Sequence, residues 1–304
     1  MKLMDLVRSA EQQLLDAGVA FGHGTDNAWD EAAWITLWAL GLPLDTDIED
    51  EAAHPPICAA DAAKVEQGVQ QRIAQRKPFA YIAREAWLQG VPFYVDERVI
   101  IPRSLIAELI ASGSIDVFLS ADTQRVLDLC TGNGSLAVLA ALAWPDVQVD
   151  AADISPDALA VARINVEKHG LQSRIRLLQS DGLAACTGPY DLIVCNPPYV
   201  NAASMADLPA EYRAEPALAL AGGADGMDFV RPLLAQAAAH LNEGGVLVLE
   251  IGHERNHFEA AFPDLNPIWL DTSAGSDQVL LLTREALLDQ AMGPTLEPTK
   301  GPAA

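Results

Sequence analysis

The chain has 304 residues, half of them apolar and 20% charged, which excludes a disordered chain and gives room for two domains with cores of their own. Its formal net charge is −23, with 8 basic against 16 acidic residues in 1–100 and 11 against 26 in 101–304. That field repels a polyanion such as DNA, with no Lys/Arg cluster to offset it; it would attract a basic protein, or it serves solubility alone.

The start, Met1–Asp5, carries an acid early and no continuous apolar stretch, which argues against a signal peptide. Residues 1–86 read as helical. Leu3, Leu6, Val7, Ala10 and Leu14 follow the i, i+3, i+4, i+7 spacing of an amphipathic helix. Trp34, Leu37 and Trp38 repeat it in a second helix, closed by Gly41 and Pro43, with both tryptophans expected in the core. Val65, Val69 and Ile73 mark a third, ended before Pro78. The acidic run from Asp45 to Glu51 reads as a solvated loop. Residues 87–101 change to a strand pattern, with Val91–Val95 and Val99–Ile101 expected as parts of a linking hairpin. Pro102-Arg103-Ser104 opens a helix from Leu105 to about Ala111.

From Arg125 strands and helices alternate. Strands are expected at 126–130, 147–152, 175–178, 192–195, 246–251, 268–270 and 278–282, and helices at 136–143, from Ser155-Pro156 to Gly170, and at 232–241. This alternation predicts an α/β fold, a doubly wound, mostly parallel seven-stranded sheet over residues 102–288. Residues 289–304, rich in Pro, Gly and Thr, read as a disordered tail. No run reaches the roughly 18 apolar residues of a membrane span. The cysteines at 58, 130, 186 and 195 form no CxxC pair, which fits free thiols in a reducing cytoplasm.

Chemistry collects at strand ends. Asp128-Leu-Cys-Thr-Gly-Asn-Gly134 sits where the first strand of the sheet runs into a helix, and its two glycines let the backbone turn tightly beside a ligand. The loop lacks the third glycine of GxGxxG, so dinucleotide binding fits poorly. Asp153 ends the next strand, where an acid can accept from both ribose hydroxyls of a nucleoside. Asp181 follows the third strand, where a carboxylate can accept from an adenine amine. Asn196-Pro197-Pro198-Tyr199 follows the fourth. An Asn oxygen and a Pro carbonyl can take the two N–H bonds of a planar nitrogen group, two prolines hold the backbone, and Tyr199 can stack on the plane. His253-Glu254-Arg-Asn-His257 matches HExxH, but no His follows to complete a three-His site, and the chain is read as holding no metal.

The order of these motifs resembles class I S-adenosylmethionine-dependent methyltransferases over about residues 100–288. By that resemblance Asp128 and Thr131, Gly132, Asn133 and Gly134 hold the methionine part of S-adenosylmethionine, Asp153 the ribose, and Asp181 lies near the adenine. Asn196 lies against both donor and acceptor. The family often has three glycines in its loop; here Cys130 stands in the first place. The Asn-Pro-Pro-Tyr step resembles enzymes that methylate adenine or guanine amines or glutamine amides. Helices first, then a hairpin, then the donor fold is similar to the protein glutamine methyltransferases. The run Phe93–Ile110 resembles their branch acting on the third large-subunit (50S) ribosomal protein. Ser104 and Leu105 depart from the Pro-Arg-Pro-Glu-Thr-Glu typical of the sister branch, which acts on peptide release factors. The resemblance thus implies methyl transfer to a glutamine amide of a basic ribosomal protein, free or in an assembling particle. Release factors, and exocyclic amines of nucleic acid, are the alternatives. Glu215–Gly226 is shared by both branches and is expected as a substrate-facing lid.

Overall fold

The computed structural model describes residues 1–50 and 56–292. Contacts divide the chain into two units, Met1–Arg103 with Ala206–Ala219, and Ser104–Met205 with Leu220 onward.

The first unit is built on α1 (Leu3–Asp16), α2 (Ala28–Leu40), α3 (Ala59–Gln75) and a short α4 (Phe79–Ala83), followed by the antiparallel pair β1 (Ala86–Leu88) and β2 (Val91–Phe93). The apolar stripe predicted for α1 is its buried face: Leu3, Leu6, Val7, Ala10 and Leu14. Gly41 ends α2 in the left-handed conformation, releasing its N–H to Leu37 and Trp38 carbonyls. Trp34 is buried, but Trp38 stays 43% exposed, edge-on to Phe79, so only one of the two expected core tryptophans is core. Val99–Ile101 is not a strand. Val99 and Ile101 are buried from a turn that Val99 closes onto the Asp96 carbonyl, so their apolar run reports burial and not pairing. Residues 45–50 form an exposed loop, and Glu51 lies outside the described residues.

Burial in this unit is not all apolar. Arg72, on the inner face of α3, is fully buried, with Nε 2.5 Å from Glu31 of α2, NH1 3.3 Å from Glu211 and NH2 on the Ala20 carbonyl. Arg103 grips Glu215 with two bonds of 2.7 Å, and Glu215 also accepts from Ile101 N. These pairs fix residues 206–219 to α3 and to the segment after β2 in their own unit.

The second unit contains α5 (Ile106–Ser112), β3 (Arg125–Leu129), α6 (Ser135–Ala143), β4 (Gln148–Asp153), α7 (Pro156–Lys168), β5 (Ile175–Gln179), β6 (Tyr190–Cys195), α9 (Val230–His240), β7 (Leu241–Glu250), α10 (Arg255–Ala261), β8 (Ile268–Thr272), β9 (Gly275–Thr283) and α11 (Arg284–Met292). A short α8 (Ala202–Asp207) starts in it after β6. The sheet order is β5-β4-β3-β6-β7-β9-β8. The first five strands are parallel, β9 is antiparallel to β7, and β8 is antiparallel to β9. This is the expected seven-stranded, mostly parallel sheet. Helices cover both faces, so the inner strands are continuous apolar runs: Leu192–Cys195 and Val246–Leu249 are buried throughout. Ser155 caps α7 by accepting from Ala158 N, with Pro156 in the first turn. α11 carries the chain through Met292, so the first residues of the expected tail are helical; its remainder lies outside the described residues. Strand order reverses at β3, with β4 on one side and β6 on the other. The crevice beyond their carboxyl ends is where ligands gather in such sheets.

Candidate active site

The donor loop leaves β3 through Cys130, whose backbone takes φ +62°. A non-glycine residue there costs about 1–2 kcal/mol, consistent with a place that glycine commonly fills. The Cys195 thiol beside it and burial push the Cys130 thiol well above the ordinary range, so it is a neutral packing group. Gly134, at φ +83°, closes the loop where a Cβ would press within 3.2 Å of Ala162. Asp128 lies wholly buried at the root. Its Oδ2 accepts from Thr131 Oγ1 at 2.5 Å and from Ala137 N, a free donor of the first turn of α6, at 2.9 Å. Burial lifts the carboxyl to about 7, against these two bonds.

Two buried polar atoms of the loop, Asp128 Oδ1 and Asn133 Nδ2, have no partner among the described residues. One is an acceptor and the other a donor, a set that fits the ammonium and carboxylate of an amino acid. Asp153 ends β4, with Oδ2 on Gly132 N at 2.9 Å and Oδ1 on Ser155 N at 2.9 Å, so it holds the loop and the start of α7 at once. Burial raises its pKa. Asp181 lies two residues beyond β5 and is exposed.

Asn196–Tyr199 leaves β6 beside this loop: Leu129 of β3 is the register partner of Cys195. The structure therefore brings Asp128, Thr131–Gly134, Asp153 and Asn196 to adjacent strand ends. Pro197 is buried; Asn196, Pro198 and Tyr199 are half-buried. No described residue bonds the Asn196 side chain, which leaves its amide for a ligand. After the step, Val200 N bonds the Leu220 carbonyl and Gly222 N bonds the Val200 carbonyl, both at 2.8 Å, so the chain returns to the clamp after its excursion.

The return segment crowds Tyr199. A Cβ on Gly222 would fall 2.7 Å from Tyr199 backbone atoms, and one on Gly252 would fall 2.5 Å from its ring. Glycines there let Tyr199 be enclosed. The Tyr199 hydroxyl faces Glu250 Oε1 at 3.4 Å. Sequence reading missed Glu250, although its signal resembles that of Asp153: an acid as the last residue of a strand. The HExxH run is not one helical face. His253 precedes α10, and Glu254, 7% exposed, is held by Asn201 Nδ2 at 2.7 Å and His257 Nδ1 at 2.5 Å. Among the described residues no group of three or more His, Cys, Asp or Glu is placed to hold a metal ion.

Residues 113–211 match the family model of the methyltransferase small domain. The chain is 56% identical over 287 residues to a ribosomal protein uL3 glutamine methyltransferase of Bordetella pertussis, covering 94% of this chain and 96% of that one. It is 48% identical to the protein of the same name from Neisseria meningitidis serogroup B, covering 95% of each. Among solved structures, the hMettl16 catalytic domain in complex with MAT2A 3′UTR hairpin 6 superposes with a TM-score of 0.50 at 14% identity, over 74% of this chain and 81% of that one, a likeness of fold alone.

Proposed function

The chain belongs to the family of ribosomal protein uL3 glutamine methyltransferases, and from that premise we propose that it moves a methyl group from S-adenosylmethionine to the side-chain amide nitrogen of a glutamine in the third large-subunit ribosomal protein, leaving S-adenosylhomocysteine and releasing one amide proton to solvent. The observation that carries this reading is the Asn196–Tyr199 step at the end of β6, one strand from a glycine loop with a buried unpaired acceptor and donor. When bound, S-adenosylmethionine supplies a methyl carbon made electrophilic by its sulfonium.

This chain's residues bind and orient. Asp128 and Thr131, Gly132, Asn133 and Gly134 hold the methionine part. Asp153 takes the ribose and Asp181 the adenine side. A carboxamide nitrogen is a poor nucleophile because its lone pair is shared with the carbonyl. Asn196 Oδ1 and the Pro197 carbonyl accept its two N–H bonds, turn the lone pair toward the donor and offset the positive charge that develops on nitrogen. Pro197 and Pro198 keep these acceptors from having to reorganise. Tyr199 stacks on the amide plane. No strong base is required of the clamp before transfer.

The substrate is a basic protein, free or in an assembling particle, drawn by a chain of charge −23, with no direct contact to nucleic acid and a cytoplasmic setting. No helix among the described residues is long and apolar enough to cross a membrane. Mass spectrometry of ribosomal proteins and release factors after incubation with labelled donor tests the reading. One methyl on a glutamine of uL3 is expected. Label confined to a release factor or to RNA would replace it.

A further inference from the structure

Glu250 is 3% exposed and ends an apolar strand. Burying a carboxylate is costly unless donors surround it. Its donors are neutral. Oε2 accepts from Ser104 Oγ at 2.6 Å, Leu105 N at 2.9 Å and Ile106 N at 3.4 Å, while Oε1 faces the Tyr199 hydroxyl at 3.4 Å. An acid serving only the start of α5 would need one oxygen. The other is turned to the clamp. Gly252, two residues on, lacks the Cβ that would fall 2.5 Å from the Tyr199 ring, so the ring can lie against the same strand end.

We propose that Glu250 is a positioning residue of the acceptor clamp: one oxygen is anchored by the start of α5 and the other sets the tilt of the Tyr199 ring. This rests on the reading of Asn196–Tyr199 as the seat of a planar amide. A ring free to tip either leaves the amide face or enters the amide's place. The contact is long at 3.4 Å, and such contacts often shorten when substrate is bound. Of the bonds Glu250 makes, the one to Tyr199 is the one that reaches the clamp, so its removal is expected to act on turnover through Tyr199 and to leave donor affinity alone.

The test is a cycle of Glu250→Ala, Glu250→Gln, Tyr199→Phe and the Ala/Phe double variant in the full chain. Four readouts are taken: kcat and KM with purified uL3, S-adenosylhomocysteine affinity, and hydrogen exchange over residues 196–200. Glu250→Ala is expected to lower kcat on the order of tenfold, with donor affinity held within about twofold, the size of one lost hydrogen bond to a charged group. Glu250→Gln recovers most of that turnover, because its oxygen keeps the α5 donors and the Tyr199 hydroxyl can accept from its NH2. Tyr199→Phe lowers kcat about fivefold in the parent and less than about twofold in Glu250→Ala, because the two share one contact. Equal factors in both backgrounds overturn the proposal. If Glu250→Ala does not fold, Tyr199→Phe decides: exchange at 196–200 must rise, and unchanged exchange with unchanged kcat overturns it. A parent that puts no methyl on uL3, while exchange at 196–200 still responds, removes the substrate reading and upholds the positioning role.

Discussion

Arg72 in the first unit and Glu250 in the second are both charges inside the protein, and they are satisfied in different ways. Arg72 lies against two carboxylates, Glu31 and Glu211, in a network of opposite charges. Glu250, like Asp128 and Asp153, is held by hydroxyls and backbone N–H groups. Ion pairs lock a segment whose partners are distant in sequence, and losing one member strands the rest. Carboxylates held by neutral donors stay beside the strand ends without a counter-charge, and one of their oxygens, Asp128 Oδ1, is left without a partner among the described residues. The first unit's interior charges therefore tie its segments together, and the second unit's lie about its site.

Removing Arg72 attacks that contrast most directly. Arg72→Ala leaves Glu31 buried without its cation and Glu211 with Arg76 alone, and is expected to cost about 3–5 kcal/mol, read by denaturant unfolding. A loss below about 1 kcal/mol, the range of exposed pairs, would place the network at the surface in energetic terms. In the second unit, Asn196→Ala should leave Tm unchanged and donor binding largely intact, while turnover falls roughly a hundredfold or more, as for loss of a preorganised polar contact. Turnover within a few-fold of the parent would take Asn196 out of the chemistry. Asp153→Ala is expected to weaken S-adenosylhomocysteine about tenfold or more by calorimetry, as for a charged hydrogen-bond partner, and unchanged affinity would mean that Asp153 only braces the loop.

The smallest effect sharpens the comparison through pH. Asp128 titrates near 7 in the folded chain, above its ordinary 3.8, so folding binds a proton that the unfolded chain releases. Its contribution is therefore largest at low pH and is lost as pH rises from about 4 through 7. Between pH 6 and pH 8 the loss is about 1.4 kcal/mol. Asp128→Asn should flatten that part of the Tm–pH curve of the ligand-free protein. A curve of unchanged slope would place the titration elsewhere.

Much of the fold was legible because its signals are local and periodic. The α1 stripe and the strand runs at Val126–Leu129 and Leu192–Cys195 need only neighbours in sequence. So does the order of strand-end residues around the crevice. What was missed depends on partners far away. Val99 and Ile101 read as a strand because burial and pairing share one apolar pattern. Trp38 sits on an apolar helix face that is only partly covered. Arg72 carries a charge at a buried helical position, which periodicity counts as exposed. Glu250 was overlooked because its partners, Ser104 and Tyr199, lie on separate segments.

The first unit takes residues 206–219 from beyond the clamp, and this bears on how the protein is made. Arg72 waits 139 residues of synthesis for Glu211, and Arg103 waits 112 for Glu215. The opening helices thus leave the ribosome with Arg72 paired to Glu31 alone and cannot reach their final stability until half of the sheet has been translated. A fragment cut after Arg103 inherits that unfinished state permanently, so the amino-terminal helices are expected to need the later chain to become a domain at all.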